Sequence, residues 1–160
     1  MRLIASAFAF VLSAQVSWAQ SPAPLTVIID GVARSVPATS LRSMPRDTMQ
    51  LTFHDQPAVT YEGVPLAAVL KAVGVRTDSL NGPALATRIV TESSDGYRVV
   101  LALAELDPSL GRKRILLADR MNGRPLPANE GPWRLLVGGD QRPSRSARQV
   151  LRIRIASEPR

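Results

Sequence analysis

The stretch Thr60–Val75, TYEGVPLAAVLKAVGV, constrains the fold of this chain more than any other segment. Pro65 suits the first turn of a helix, where its missing N–H leaves no hydrogen bond unmade. Gly63 gives the backbone freedom before the helix, and Gly74 ends it. Apolar side chains then recur three and four residues apart, as on one buried face of a helix: Leu66, Val69, Leu70 and Val73. The segment predicts a turn that leads into a short core helix without reactive side chains.

Residues 1–19 have the pattern of a secretory signal peptide. Arg2 gives a positive start, and residues 3–16 are apolar or small except for Gln15. Ser17 and Ala19 are small residues at the two positions that a signal peptidase inspects. A membrane anchor is the alternative, but the apolar run is shorter than the roughly 20 residues that cross a bilayer. We therefore expect cleavage after Ala19 by a Sec-type route and a periplasmic or secreted mature protein.

The rest of the chain is long enough for one domain and too short for two. We expect a flexible leader over residues 20–24, a single domain over 25–156 and a C-terminal tail over 157–160. No later stretch is apolar enough to cross a membrane, so the mature protein is expected to have no membrane span.

The chain contains no cysteine and one histidine. Thiolate nucleophiles, thiolate metal ligands and redox dithiols are therefore excluded, and no metal site is expected. The formal net charge of +7, carried almost entirely by arginine, favours anionic partners. Because aromatic residues are few and no nucleic-acid-binding module is recognisable, nucleic acid is not an expected partner. Small anions, acidic partner proteins or an anionic envelope surface are expected instead.

Alternating apolar residues predict several short strands joined by glycine turns. An Asp-Gly pair joins Leu25–Ile29 to Val32–Val36 as a hairpin. In the last strand, apolar residues alternate with Arg152 and Arg154, which should face water. Long helices of the kind that parallel crossover connections need are absent from the pattern. The sequence thus predicts an α+β fold with a mixed, largely antiparallel sheet and few short helices.

Charged residues are densest late in the chain. Arg134 lies on a predicted strand, and Asp140, Arg142, Arg145 and Arg148 follow in the loop after it. The planar arginine fork suits phosphate, sulfate or carboxylate, which predicts an anion pocket. The alternative is a solvated face on which Asp140 pairs with an arginine and holds the loop, worth at most about 1 kcal/mol if exposed.

His54 is the one side chain that titrates near neutral pH. A Ser-His-acid site would have to use it, but no nucleophile-elbow motif is present, and no spacing singles out a pair of catalytic carboxylates. The alternative is a surface residue whose proton is held by the neighbouring Asp55.

Three segments occur in an order that resembles the oxidoreductase molybdopterin-binding domain family of the sulfite oxidase type. They are YEGVPLAAVLKAVGV, SSDGYRVVLALAELD and ILLADRMNGRPLPANEGPWRLLVGGDQRPSRSARQVLRIRI, and the resemblance covers roughly Leu25 to Ile155. It implies a mixed α+β fold in which loops around the DGY turn and the GPWRLL strand border a pterin groove. The residues expected in that groove are His54, Asp95, Tyr97, Arg134, Asp140, Arg142 and Arg145. Their expected role is binding, with the arginines meeting an anionic group and Tyr97 offering a stacking face.

The chain departs from this family in the residues that would hold the metal. Enzymes of the family bind molybdenum through a cysteine ahead of the GVPL helix, and the corresponding stretch here, Met49–Val59, reads MQLTFHDQPAV. The leader also has one arginine, whereas proteins exported with a folded cofactor usually carry two adjacent arginines. We expect a non-catalytic, cofactor-free domain that binds a small anionic ligand or a partner protein. The alternatives are a molybdopterin-dependent oxidoreductase that holds its cofactor without a cysteine ligand and a hydrolase centred on His54.

Overall fold

The computed structural model describes residues 23–53 and 57–157, which form two β-sheets and a few short helices. The strands are β1 (Leu25–Ile29), β2 (Val32–Val36), β3 (Asp47–Leu51), β4 (Val59–Pro65), β5 (Arg88–Ser93), β6 (Arg98–Ala102), β7 (Ile115–Met121), β8 (Arg124–Pro125), β9 (Arg134–Val137) and β10 (Val150–Ala156). The α-helices are α1 (Ala38–Arg42) and α2 (Leu66–Ala72), and short 3-10 helices lie at Gly82–Ala86, Leu103–Leu106 and Pro143–Arg145.

The ten strands divide into two five-stranded sheets. Sheet A has the order β2-β1-β10-β5-β6, and sheet B has the order β3-β4-β7-β8, with β9 also paired to β7. The last strand, β10, runs parallel to β1 and antiparallel to β5, and the other pairings described are antiparallel as well. The predicted α+β fold with a largely antiparallel arrangement and few short helices is confirmed.

One hydrophobic core joins the two sheets and α2. Sheet A contributes residues such as Val27 and Ile153, and sheet B contributes residues such as Val64 and Leu135. The predicted inner face of α2 lies in this core, since its buried residues are Leu66, Val69 and Leu70. Burying each of these side chains stabilises the fold by about 1.5–3 kcal/mol. Helix α2 is therefore fixed by its apolar face.

The segment before α2 is a strand, and the predicted turn there is wrong. β4 runs to Pro65 and pairs with β3 on one side and β7 on the other. An ideal Cβ on Gly63 would lie 2.2 Å from the carbonyl oxygen of Leu117. Glycine is needed at this position because the backbone of β7 approaches so closely. The expectation for Gly74 is confirmed, since it follows α2 with a φ of 91°.

Each sheet also has an outer face. On sheet A, alternation along β10 leaves Arg152 and Arg154 exposed, as predicted. On sheet B, a smaller apolar cluster is formed by Met49, Tyr61, Leu116, Ala118 and Leu136. No helix among residues 23–53 and 57–157 is long and apolar enough to cross a bilayer.

Candidate functional site

Arg145 is the centre of an ion-pair cluster in the loop after β9. Its Nε and one terminal nitrogen donate to the two carboxylate oxygens of Asp140, each at 2.8 Å, and its other terminal nitrogen donates to Glu105 at 3.2 and 3.3 Å. The Lys113 ammonium lies 2.7 Å from Asp140. Two cations thus face two carboxylates, so the cluster holds the loop and has little charge left for an external anion. This is the alternative arrangement that the sequence left open for Asp140.

The DGY turn attaches to the same loop. The carboxylate of Asp95 accepts the N–H of Tyr97 at 2.9 Å, and Gly96 between them has a φ of 82°. The hydroxyl of Tyr97 donates to the carbonyl oxygen of Ser144 at 2.5 Å. Because Ser144 directly precedes Arg145, the turn and the ion-pair cluster are joined through one backbone carbonyl.

Arg134 lies elsewhere, on the outer face of sheet B. It is only 5% exposed and donates from one nitrogen to Glu130 and, at 3.1 Å, to the hydroxyl of Tyr61. Its guanidinium carbon sits 4.3 Å from the centre of the Phe53 ring and 5.2 Å from that of Tyr61. Burial raises the pKa of the Tyr61 phenol, so this group stays protonated. The Nε of Arg134 is buried without a hydrogen-bond acceptor among the described residues.

The seven expected groove residues therefore fall into separate places. Asp95, Tyr97, Asp140 and Arg145 belong to one connected region, and the exposed Arg142 precedes the 3-10 helix of that region. Within the part of the chain that the structure describes, Arg134 shares no hydrogen-bond partner with them. His54 lies outside the described residues. Among these positions, Arg142 is the arginine that faces solvent.

Asp140 makes the ion-pair cluster sensitive to acid. The hydrogen bonds from Arg145, followed by those from Lys113, hold the pKa of Asp140 at about 2, below its ordinary 3.8. A lowered pKa adds stability above pH 4, and that stability is lost as the pH falls toward 2. We expect Asp140→Asn to lower the free energy of unfolding by about 1–2 kcal/mol at neutral pH, after allowance for screening by solvent.

Urea unfolding followed by circular dichroism between pH 2 and pH 7 measures this effect. The difference between wild type and Asp140→Asn should shrink to a small fraction of its neutral-pH value as the pH falls to 2. Asp78→Asn is the matched control, because Asp78 forms an ion pair with Lys71 in which both side chains are largely exposed. That variant should stay within about 0.5 kcal/mol of wild type throughout. A pH-independent effect of Asp140→Asn would contradict the assignment.

A basic cleft lined by residues of sheet B, of α1 and of the segment between α1 and β3 was not anticipated from the sequence. Its volume is about 520 Å³, and it is lined by Arg42, Arg46, Glu62, Asp119, Arg120 and Pro125. Asp119 is only 8% exposed and accepts hydrogen bonds from Arg46 and, at 3.4 Å, from Arg42. The sequence feature that could have indicated this cleft is Asp119, a carboxylate at the end of the apolar run ILLAD.

The described residues do not form a metal site. No group of three or more His, Cys, Asp and Glu side chains placed to hold a metal occurs within residues 23–53 and 57–157. The chain as a whole has no thiol. The described part of Met49–Val59 contributes a buried Met49 and a Phe53 ring that packs against Tyr61 and Arg134. Neither side chain supplies a thiolate, so the described part of this stretch lacks the ligand through which the resemblance implies that molybdenum is held.

The two sheets and their order form a fold that is shared with a solved protein. The fold is similar to that of the sulfane dehydrogenase SoxCD from Paracoccus pantotrophus, with a TM-score of 0.65 and 18% sequence identity. The match covers 89% of this chain and 40% of that chain. This chain therefore spans less than half the length of the SoxCD chain that it matches, and the likeness concerns the fold.

The family is established by sequence. Residues 32–160 match the model of the oxidoreductase molybdopterin binding domain, and the chain belongs to that family. The resemblance read from the ordered segments is thereby confirmed. No curated protein matches the chain.

Proposed function

We propose that this protein is an exported binding domain of the molybdopterin-binding family that works without molybdenum and without catalysing a redox reaction. One observation carries the proposal: the chain has no cysteine, so the thiolate through which enzymes of this type hold the metal has no counterpart anywhere in the sequence. The leader supports export to the periplasm as an unfolded chain, followed by cleavage after Ala19.

The contacts of Phe53 agree with this proposal. Phe53 lies in the stretch where the resemblance places the metal ligand, and its ring packs edge-on against Tyr61 with the centroids 6.0 Å apart. Arg134 covers the face of the same ring. An aromatic side chain in these contacts contributes packing and a cation-π interaction of about 0.5–2 kcal/mol, and no metal-binding chemistry. The stretch thus has a structural use in this chain.

The ligand that we propose is anionic. The chain carries a formal net charge of +7, and removal of Arg2 with the leader leaves +6. The basic cleft brings three arginines together with two carboxylates, and Arg142 is exposed in the loop beyond β9. Arginine forks match phosphate, sulfate and carboxylate groups. A small anion or an acidic protein is the class of partner that these side chains suit.

The test is the molybdenum and pterin content of the protein taken from the periplasmic fraction of its own host. We expect molybdenum far below one atom per chain and no pterin fluorescence after denaturation, because no thiolate holds the metal. A co-expressed sulfite-oxidase-type enzyme with its cysteine is the control for cofactor supply. The intact mass of the same sample should correspond to a chain that begins at Gln20.

A second candidate function is a molybdopterin-dependent oxidoreductase that holds its cofactor without a cysteine ligand. The observation that favours it is membership of the family itself, over residues 32–160. Stoichiometric molybdenum in the periplasmic protein would support this function and overturn the first. Substoichiometric metal beside a fully loaded control enzyme would remove it.

A further inference from the structure

The outer face of sheet A carries an arginine cluster that the sites above do not use. Strand alternation places on this face one residue in two from β5, β6 and β10. We call this surface the basic face and define it by six residues: Arg88, Arg98, Arg152, Arg154, Val90 and Val100. The four arginines are exposed, while the alternate residues Ile89, Val99 and Ile153 are buried in the core.

The strand register arranges these side chains in rows across the sheet. Arg152 pairs with Glu92, which in turn pairs with Arg98 on the edge strand. In the next row, Arg154 pairs with Val90 on β5, which is the partner of Val100. In these two rows, the described residues Arg98, Arg152, Arg154 and Glu92 give a net charge of 3 − 1 = +2. The Arg98–Glu92 contact is loose, at 3.8 Å, and leaves Arg98 65% exposed.

An exposed apolar residue lies among these charges. Val100 is 55% exposed, with Val90 beside it in the same row. Every cation on the face is an arginine, and the two lysines of the chain form ion pairs elsewhere. Arginine is enriched and lysine depleted in protein interfaces, which combine an apolar centre with a polar rim. The basic face combines arginines with an exposed apolar residue on the edge strand β6.

The charge pattern selects the kind of partner. An anionic lipid surface attracts positive charge of any arrangement and repels a carboxylate such as Glu92. A protein surface can set acidic groups against the arginines and leave room opposite the glutamate, and arginine forks bind carboxylates in a bidentate way. A second copy of this chain would bring like charges together. We propose that the basic face docks an acidic protein segment, which would contact the arginines through carboxylates and Val100 through apolar atoms.

This inference rests on the proposed role as a binding domain and names its partner class. It is tested on the mature full-length protein with a fluorescently labelled poly-glutamate peptide, by anisotropy at low and at physiological salt. The test variant is Arg152→Ser with Arg154→Ser. The control is Arg112→Ser with Arg124→Ser, which removes the same charge from two exposed positions off the basic face. Thermal unfolding of both variants checks that each is folded.

We expect the test variant to weaken peptide binding about tenfold, because it loses two arginine-carboxylate contacts with the peptide. The control variant keeps these contacts and should weaken binding less than about twofold. Equal weakening by the two variants would show a general charge effect and overturn the proposal. So would tighter binding to phosphatidylglycerol-containing vesicles than to the peptide, with the same dependence on Arg152 and Arg154. The molybdenum measurement is independent of all these outcomes, so failure here is distinguishable from failure of the proposed function.

Discussion

Gly63→Ala should lower the free energy of unfolding by roughly 3–5 kcal/mol, which is a large part of the stability of a domain of this size. The added Cβ would lie 2.2 Å from the carbonyl oxygen of Leu117 and 2.5 Å from the Cα of Ala118. Both neighbours are backbone atoms of β7, so no side-chain rotation relieves the contact. β4 and β7 would have to separate where they pair at the centre of sheet B.

Urea unfolding of the purified variant measures this effect. Gln50→Ala is the control, because Gln50 is exposed on the neighbouring strand β3 and should cost less than about 0.5 kcal/mol. Failure of Gly63→Ala to yield folded protein, with normal yields of the control, is the extreme form of the expected result. An unfolding midpoint unchanged from wild type would contradict the close approach of the two strands.

The sequence predicts those features that depend on neighbouring residues. The opening hairpin and α2 are confirmed, because turn chemistry and apolar spacing act within a few positions. The fold class and the family are also confirmed, since many such local signals occur in a recognisable order. Signals between neighbouring residues therefore predict most of the architecture.

The features that the sequence misses depend on distant pairing. Gly63 looks like a turn residue until β7 is placed against it. Asp119 meets Arg42 and Arg46 across sequence separations of 77 and 73 residues. Arg145 also meets Glu105, which lies 40 residues earlier in the chain. Each of these contacts joins segments far apart in the sequence, which periodicity alone does not bring together.

The surroundings of Arg134 also depend on distant parts of the chain. They are the basis of the second prediction with a large expected effect. The guanidinium and its partner Glu130 have side chains only 6% and 17% exposed. Two charges so poorly hydrated stabilise the protein only as a pair, because each alone would be a buried charge without compensation. The hydroxyl of Tyr61 and the ring of Phe53 complete the surroundings of Arg134 on the outer face of sheet B.

Arg134→Met should therefore cost roughly 3–5 kcal/mol, since it keeps most of the volume but leaves Glu130 unpaired. Adding Glu130→Gln should recover part of that loss, and the double-mutant cycle should give a coupling of about 2 kcal/mol or more. Arg114→Met is the control, because its ion pair with Asp47 has side chains 60% and 43% exposed and should contribute less than about 1 kcal/mol. Additive effects of the two substitutions, measured by urea unfolding, would show that Arg134 is held by its aromatic neighbours alone. A coupled pair would mean that the most buried arginine named in the candidate groove serves the stability of sheet B, which leaves anion binding to the exposed arginines.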